Sequence, residues 1–248
     1  MNNLYPKRDY ALEELERVRF IQRTLASAKA SGIVFANSGG KDCVLTGILC
    51  KKACENTVSL VLPCGIARSY EEDKEDALMF AGQFDIETKV IDLRETYDAL
   101  TKAMGQGLTE LAASNIAPRL RMQVLYAMAQ SEGRLVAGTG NRSEIFLGYF
   151  TKWGDGAYDF NPIADLTVTE VYEFLRHLDA PASIIEKPPS AGLYEGQTDE
   201  GDLGFTYADL DRFLLTGEAT EENKKKFMRH HNSTQHKRQY PHIYQAKG

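Results

Sequence analysis

A chain of 248 residues with 43% hydrophobic content can bury the core of an α/β domain, and its net charge of −6 argues against a general nucleic-acid binder. No apolar run reaches the roughly 18 residues of a membrane span, and the charged first twenty residues lack the apolar stretch of a signal peptide, so the reading is a cytoplasmic protein. The four cysteines, Cys43, Cys50, Cys54 and Cys64, share one window without a CxxC pair, which argues for reduced thiols near the core and against zinc or a disulfide framework.

Leu12, Leu15, Val18, Ile21 and Leu25 recur at three- and four-residue steps and predict one amphipathic helix over about Asp9 to Ser31. A short strand, Ile33 to Ala36, then runs into Ser38-Gly39-Gly40 and a helix from about Asp42 to Ala53. Val58 to Leu62 reads as a strand, Glu71 to Phe84 as a helix, Thr88 to Leu93 as a third strand and Arg94 to Met104 as a helix. Leu120 to Ser131 is helical by its spacing, and Leu135 to Ala137 is a strand ending at Gly138. Strands alternating with helices imply right-handed crossovers and a parallel sheet covered on both faces. Further on, Thr167 with Glu170 three residues later forms a capping-box pattern for a helix to Leu178. An acidic loop punctuated by Pro181, Pro188 and Pro189 runs through Gly204 and reads as a segment able to close over a substrate. Helices over Tyr207 to Leu215 and Glu218 to Met228 and a basic tail complete the chain, and residues 1–248 read as one domain.

The turn SGGKD, Ser38 to Asp42, carries the clearest chemistry. Glycines at the end of a strand let the backbone approach an anion, and the amides of the following helix point at it. Gly40-Lys41 is followed by Asp42 rather than Ser or Thr, so this is not the common GxxxxGK[ST] phosphate loop. An acid there suits magnesium beside pyrophosphate, as where ATP is cleaved between its α and β phosphates. Simple helix capping is the rival reading for Asp42. Lys41 reads as solvated and receives no role. Both glycine corners, after Ala36 and after Ala137, lie at strand C-termini, the edge where open α/β sheets bind ligands.

With NIAPRLRM (Asn115 to Met122), GTGNRSE (Gly138 to Glu144), GYFTKWGDGAYDFNPI (Gly148 to Ile163), KPPSAGL (Lys187 to Leu193), QTDEGDLG (Gln197 to Gly204) and QHKR (Gln235 to Arg238), the chain resembles the ammonia-dependent NAD synthetases of the N-type ATP pyrophosphatase superfamily. The resemblance spans about Gly32 to Arg238. It implies a doubly wound, mostly parallel five-stranded sheet like that of the adenine nucleotide alpha hydrolases, and a homodimer with substrate sites at its interface. It implies amidation of deamido-NAD, with ATP and ammonia as co-substrates and Mg²⁺ as cofactor. Ser38, Gly39, Gly40, Asp42, Cys43, Thr139 and Ser190 match ATP positions, with Asp42 and Glu144 on the metal. Arg119, Lys152, Asp159, His236 and Lys237 match the deamido-NAD site. Residue by residue, each has a plainer rival: an exposed acid for Glu144, a solvated helix face for Arg119 and Arg121, an inert basic tail for His236 and Lys237, a turn residue for Ser190.

Three positions depart from the family's pattern: Cys43 where Ser is usual, Val168 where several members carry an ATP-binding Lys, and Pro118 ahead of Arg119. No glutaminase segment is legible, so nitrogen is expected as free ammonia or from a separate glutaminase. The alternatives weighed are another amide-forming or tRNA-thiolating ATP pyrophosphatase and a non-catalytic nucleotide binder.

Overall fold

The computed structural model describes residues 7–65, 70–187 and 199–245. Four parallel strands, β1 (Gly32–Ala36), β2 (Thr57–Val61), β3 (Glu87–Val90) and β4 (Arg134–Val136), lie in the order β3-β2-β1-β4. Val34 is the hub of the register, pairing with Val58 on one side and Val136 on the other.

Because alternate strand residues face opposite ways, β1 feeds two cores. Ile33 and Phe35 pack with helices α1 (Tyr10–Ala28), α2 (Lys41–Ala53), α3 (Tyr70–Gln83) and α8 (Val168–His177). Val34, with Val58, Leu60 and Val136, packs under α6 (Ile116–Glu132). The doubly wound reading holds. A third cluster joins α7 (Arg142–Leu147), α8, α11 (Tyr207–Thr216) and α12 (Glu221–Ser233) through Leu147, Val168, Leu210 and Phe227. Three shorter or more open helices, α4 (Arg94–Met104), α5 (Glu110–Ser114) and α9 (Ala182–Glu186), connect these layers, and α10 (Asp199–Leu203) and α13 (Gln235–Arg238) flank the last two.

The expected five strands are four among the described residues. The fifth position holds one parallel bridge, Ala137 to Phe160. The outward N–H of Val136 is taken by the Asp159 carboxylate at 2.8 Å, while Asp159 and Phe160 return their own amides to the Val136 carbonyl. A side chain there occupies the donor that a continuing ladder would use, and the chain turns away at Pro162.

Helix α1 forms where its periodicity predicts, with Asp9 as N-cap accepting from Ala11 and Leu12, but its buried face keeps only part of the predicted stripe. Arg17, Ile21 and Leu25 face inward, whereas Leu12 and Leu15 lie about half exposed. Arg17 is tolerated inside because Glu13 and Asp165 meet its guanidinium at 2.7 and 2.6 Å and the Pro162 carbonyl accepts from it as well. The helix ends at Ala28, three residues before the predicted boundary, where its C-cap Lys29 takes a left-handed φ of 53°. Helix α6 starts four residues earlier than its apolar spacing suggested. Pro118 sits in its first turn, where the missing N–H has no partner to lose.

Candidate active site

The turn after β1 is built by its own side chains. The Asn37 carboxamide accepts from the Gly39 N–H at 3.1 Å, and Ser38 Oγ accepts from Gly40 N at 3.3 Å. Gly39 has φ +74°, and a Cβ there would stand 2.6 Å from the Asp73 carbonyl oxygen on α3, so both its conformation and its packing require glycine. Gly40 is the N-cap of α2 without a side-chain cap, leaving first-turn amides directed at the space above the turn.

Two acids converge on that space. Asp42 is the second residue of α2. Glu144 comes from α7, where Asn141 and Glu144 form a capping box: Asn141 Oδ1 accepts from Glu144 N at 3.0 Å, and Glu144 Oε2 accepts from Asn141 N at 3.2 Å. Asn141 Nδ2 also donates to Asp42 Oδ1 at 3.1 Å, and Thr46 on α2 donates to the Gly138 carbonyl at 3.4 Å. The loops that follow β1 and β4 are thus tied together, as their shared sheet edge predicts.

Lys41 is the surprise. Rather than being solvated, its side chain is 8% exposed, with Nζ 2.7 Å from Asp42 Oδ2, 4.0 Å from Glu144 Oε1 and 6.0 Å from the centre of the Tyr172 ring. Burial opposes its charge, but Asp42 and Glu144 outweigh it and hold the ammonium above its ordinary range. Burial and the Asp42 charge push the Glu144 carboxyl up to about 8, with Lys41 pulling the other way. One lysine therefore lies within ion-pair distance of both acids. Among the described residues no group of three or more acidic, His or Cys side chains converges. A metal at Asp42 and Glu144 would complete its shell from phosphate and water, and two hard oxygen donors around a cation position fit magnesium.

The remaining residues expected to meet ATP divide. Cys43 is buried with its Sγ 3.3 Å from Ser38 Oγ, and burial pushes its thiol up, so it stays protonated. Thr139 lies half-buried in the loop after β4. Val168, the first residue of α8, is buried in the third cluster and brings no charge. Ser190, with residues 188–198 of the loop read as closing over substrate, lies outside the described residues, and the described parts of that loop carry α9 and α10.

Arg119, Lys152, His236 and Lys237 form a second grouping around the GYFTKWGDG loop. Lys152 Nζ donates to the His236 carbonyl at 2.7 Å, Arg119 Nε approaches the Lys152 carbonyl at 3.4 Å, and Lys237 donates to the carbonyls of Gly148 and Phe150 at 2.8 and 2.7 Å. The basic tail is accordingly pinned to this loop, and burial lowers the Lys237 pKa. Thr151 anchors the loop from the other side, donating to Asn115 Oδ1 at 2.5 Å. Arg121 does not sit on a solvated face: it donates to the carbonyls of Leu62 and Cys64 beyond β2. Asp159 stands at the outer edge of β4, accepting from Tyr126 at 3.4 Å and lining a cavity of about 450 Å³ with Phe20, Arg23 and Leu135. Trp153 is 55% exposed under the Lys152 ammonium, 5.4 Å from its ring, whereas Phe160 is core.

A family model for NAD synthase matches residues 14–244. The chain belongs to the NAD synthase family. An NH(3)-dependent NAD(+) synthetase of Carboxydothermus hydrogenoformans is 46% identical over 231 residues, 91% of this chain and 94% of that protein. Among solved structures, an NMN synthetase from Francisella tularensis superposes with a TM-score of 0.91 at 33% identity, covering 96% of this chain and 99% of that one. An NH3-dependent NAD synthetase from Campylobacter jejuni has a TM-score of 0.80 at 29% identity, covering 96% and 100%. Within this family setting, Lys41 and Asn141 are the site residues that sequence reasoning missed. Asn141 was legible in principle, because Asn-x-x-Glu is a capping-box spacing. Nothing in the sequence signals the inward turn of Lys41.

Proposed function

We propose that this protein is an ammonia-dependent NAD⁺ synthetase, a ligase that amidates deamido-NAD with ATP as co-substrate. The observation that carries the reading is the meeting of Asp42 and Glu144, from two strand ends, over a glycine turn and a bare helix N-terminus. A carboxylate is a poor electrophile and must first be activated. The nicotinate carboxylate of deamido-NAD attacks the α-phosphorus of ATP, giving an acyl-adenylate and pyrophosphate; ammonia then displaces AMP, with loss of a proton, to leave the amide. Such chemistry needs positioning and charge stabilisation more than a nucleophilic side chain.

In this reading the amides of Ser38, Gly39 and Gly40 and the first turn of α2 cradle the pyrophosphate end of ATP, and Thr139 and Ser190 fix its orientation. Magnesium held by Asp42 and Glu144 would neutralise charge on the departing pyrophosphate. Cys43 replaces a hydroxyl by a thiol, which leaves the pyrophosphate chiefly to backbone donors. Arg119, Lys152, His236 and Lys237 hold the anionic dinucleotide, and Asp159 accepts from a ribose hydroxyl. Lys237 also fixes the loop between Gly148 and Phe150, so it shapes the pocket as well as charging it.

Residues 1–248 act as one synthetase unit in the cytoplasm, taking ammonia free or from a separate glutaminase. No helix among the described residues is long and apolar enough to cross a membrane. The exposed Phe20 on α1, which lines the same cavity as Asp159, supports a homodimer with substrate at its interface.

The strong superposition on an NMN synthetase favours one second reading, in which the acid of nicotinamide mononucleotide is the substrate. Both are tested by incubating the protein with ATP, Mg²⁺, an ammonium salt and either deamido-NAD or nicotinate mononucleotide, measuring amide and AMP. Equal NAD⁺ and AMP from deamido-NAD are expected. Faster turnover of the mononucleotide would select the second reading, and AMP without either amide would reject both.

A further inference from the structure

Asp42 and Glu144 are drawn together across a buried ammonium, which poses a question that the amidation chemistry does not answer. Two acids aimed at one small space resist ionising together unless a cation stands between them. A lysine is rarely so enclosed, and it stays charged there only because partners meet it. Lys41 is the first residue of α2, with no obligation from the helix to turn inward, yet its Nζ lies 2.7 Å from Asp42 and 4.0 Å from Glu144. It is the cation that the described residues bring to both acids; Asn141 links the two only through neutral donors, its Nδ2 to Asp42 and its backbone N–H to Glu144. Tyr172, whose ring flanks the ammonium, is one helical turn beyond Val168 on α8. Lys41 thus delivers positive charge beside the face of α8 whose own first residue is apolar.

We propose that Lys41 is a resident counter-cation that holds the Asp42–Glu144 pair in register while metal and nucleotide are absent, and yields its place when both bind, passing its ammonium to the phosphates. The inference rests on Asp42 and Glu144 as the metal carboxylates. Its consequence is a coupling between ligands. A divalent ion arriving alone must expel a paired ammonium into a site with no anion to receive it. An ion arriving with ATP finds the triphosphate ready to take that charge. Lys41 therefore suppresses metal binding without nucleotide and makes metal and ATP bind as a unit, each raising the other's affinity by the same factor. It is a positioning residue, and its effect appears in binding rather than only in turnover.

The test is titration of the full chain with Mn²⁺ by calorimetry, with and without α,β-methylene-ATP, for wild type and Lys41→Met. Methionine keeps the length of the side chain and removes the charge. Without nucleotide, Lys41→Met should bind Mn²⁺ at least tenfold more tightly than wild type, and the enhancement of Mn²⁺ affinity by the analogue should shrink by a similar factor. A purely structural role predicts weaker metal binding in the variant, and affinity within twofold of wild type would overturn the proposal. Should Lys41→Met fail to fold, ¹⁵N-lysine NMR of the wild type decides. The protected Lys41 ammonium resonance should be insensitive to Mg²⁺ alone and shift when Mg²⁺ and the analogue are added together; no shift would overturn displacement. If neither protein binds Mn²⁺ even with the analogue, the carboxylate assignment itself falls, whatever product the amidation assay finds.

Discussion

Replacing Gly39 by alanine adds one methyl group to the turn proposed to cradle phosphate. At φ +74° an L side chain is strained by about 1 kcal/mol. The new Cβ would lie 2.6 Å from the Asp73 carbonyl oxygen and 2.8 Å from the Asp76 Cβ, too close for either to remain where it is. The first of these is backbone within α3, so relief must come from moving α3 or the turn, a cost of about 1–3 kcal/mol by analogy with overpacked cores. The sum predicts a loss of roughly 2–4 kcal/mol in urea unfolding. It also predicts a rise of about tenfold or more in the KM for ATP, because the amides of the turn are displaced by the same movement. Gly82→Ala on α3 is the control: nothing lies within 4 Å of its added Cβ, and a gain of about 0.5 kcal/mol is expected from helix propensity. Were Gly39→Ala as stable as wild type with an unchanged KM for ATP, the turn would not be held as described and its glycine would have no packing reason.

Other consequences are as direct. Asp42→Asn keeps the shape and the contact with Asn141 but removes the charge, so turnover in the NAD⁺-forming assay should drop by about 100-fold; near-normal turnover would remove Asp42 from the mechanism. Asp211, fully buried on α11, accepts from Ser143 Oγ at 2.6 Å and from Thr169 N and Oγ1 at 2.7 Å, coupling the helix that carries Glu144 to α8. Asp211→Leu strands those donors and should cost about 3 kcal/mol, whereas Asp211→Asn should cost about 1 kcal/mol; equal losses in chemical denaturation would show that packing, not hydrogen bonding, is what the site needs. Burial alone would raise the carboxyl of Asp165, yet Arg17 and Arg8 hold it below the usual carboxylate range. Its contribution is therefore present above its unfolded pKa of about 3.9 and lost as pH falls through the lower folded value. Because its side chain is 56% exposed, screening limits that contribution to about 1 kcal/mol. Asp165→Asn should be less stable by that amount at neutral pH, with the gap closing in acid, and a gap undiminished at about pH 2 would contradict the sign. Lys237→Ala should raise the KM for deamido-NAD more than that for ATP, since its contacts are to the 148–150 carbonyls rather than to the SGG turn; an unchanged KM for deamido-NAD would make the tail inert.

Much of this molecule is written in local patterns. Periodicity of 3.6 places α1 and most of α6, the Thr167–Glu170 capping box starts α8 where its spacing predicts, and the alternation of strands with helices implies the doubly wound parallel sheet. The SGG turn and Asp42 stand out in the sequence because a glycine turn at a strand end, followed by an acid at a helix start, is what the proposed phosphate site asks for, whereas Glu144 is singled out by the family resemblance alone. What tertiary structure decided are the contacts that no spacing encodes. The apolar stripe of α1 was readable and its Ile21 and Leu25 are buried, but Asp165 and Glu13, by pairing with Arg17, let that residue join them while Leu12 and Leu15 stay exposed. Asp159 ended the sheet at four strands by giving its carboxylate to the edge amide of Val136. Lys41 turned inward because Glu144, distant along the chain, arrives on the other side of the same space as Asp42. Local propensity depends on neighbours a few residues away and is printed in the sequence; the partner of a buried charge is set by whichever element folds against it, and only the assembled fold supplies that.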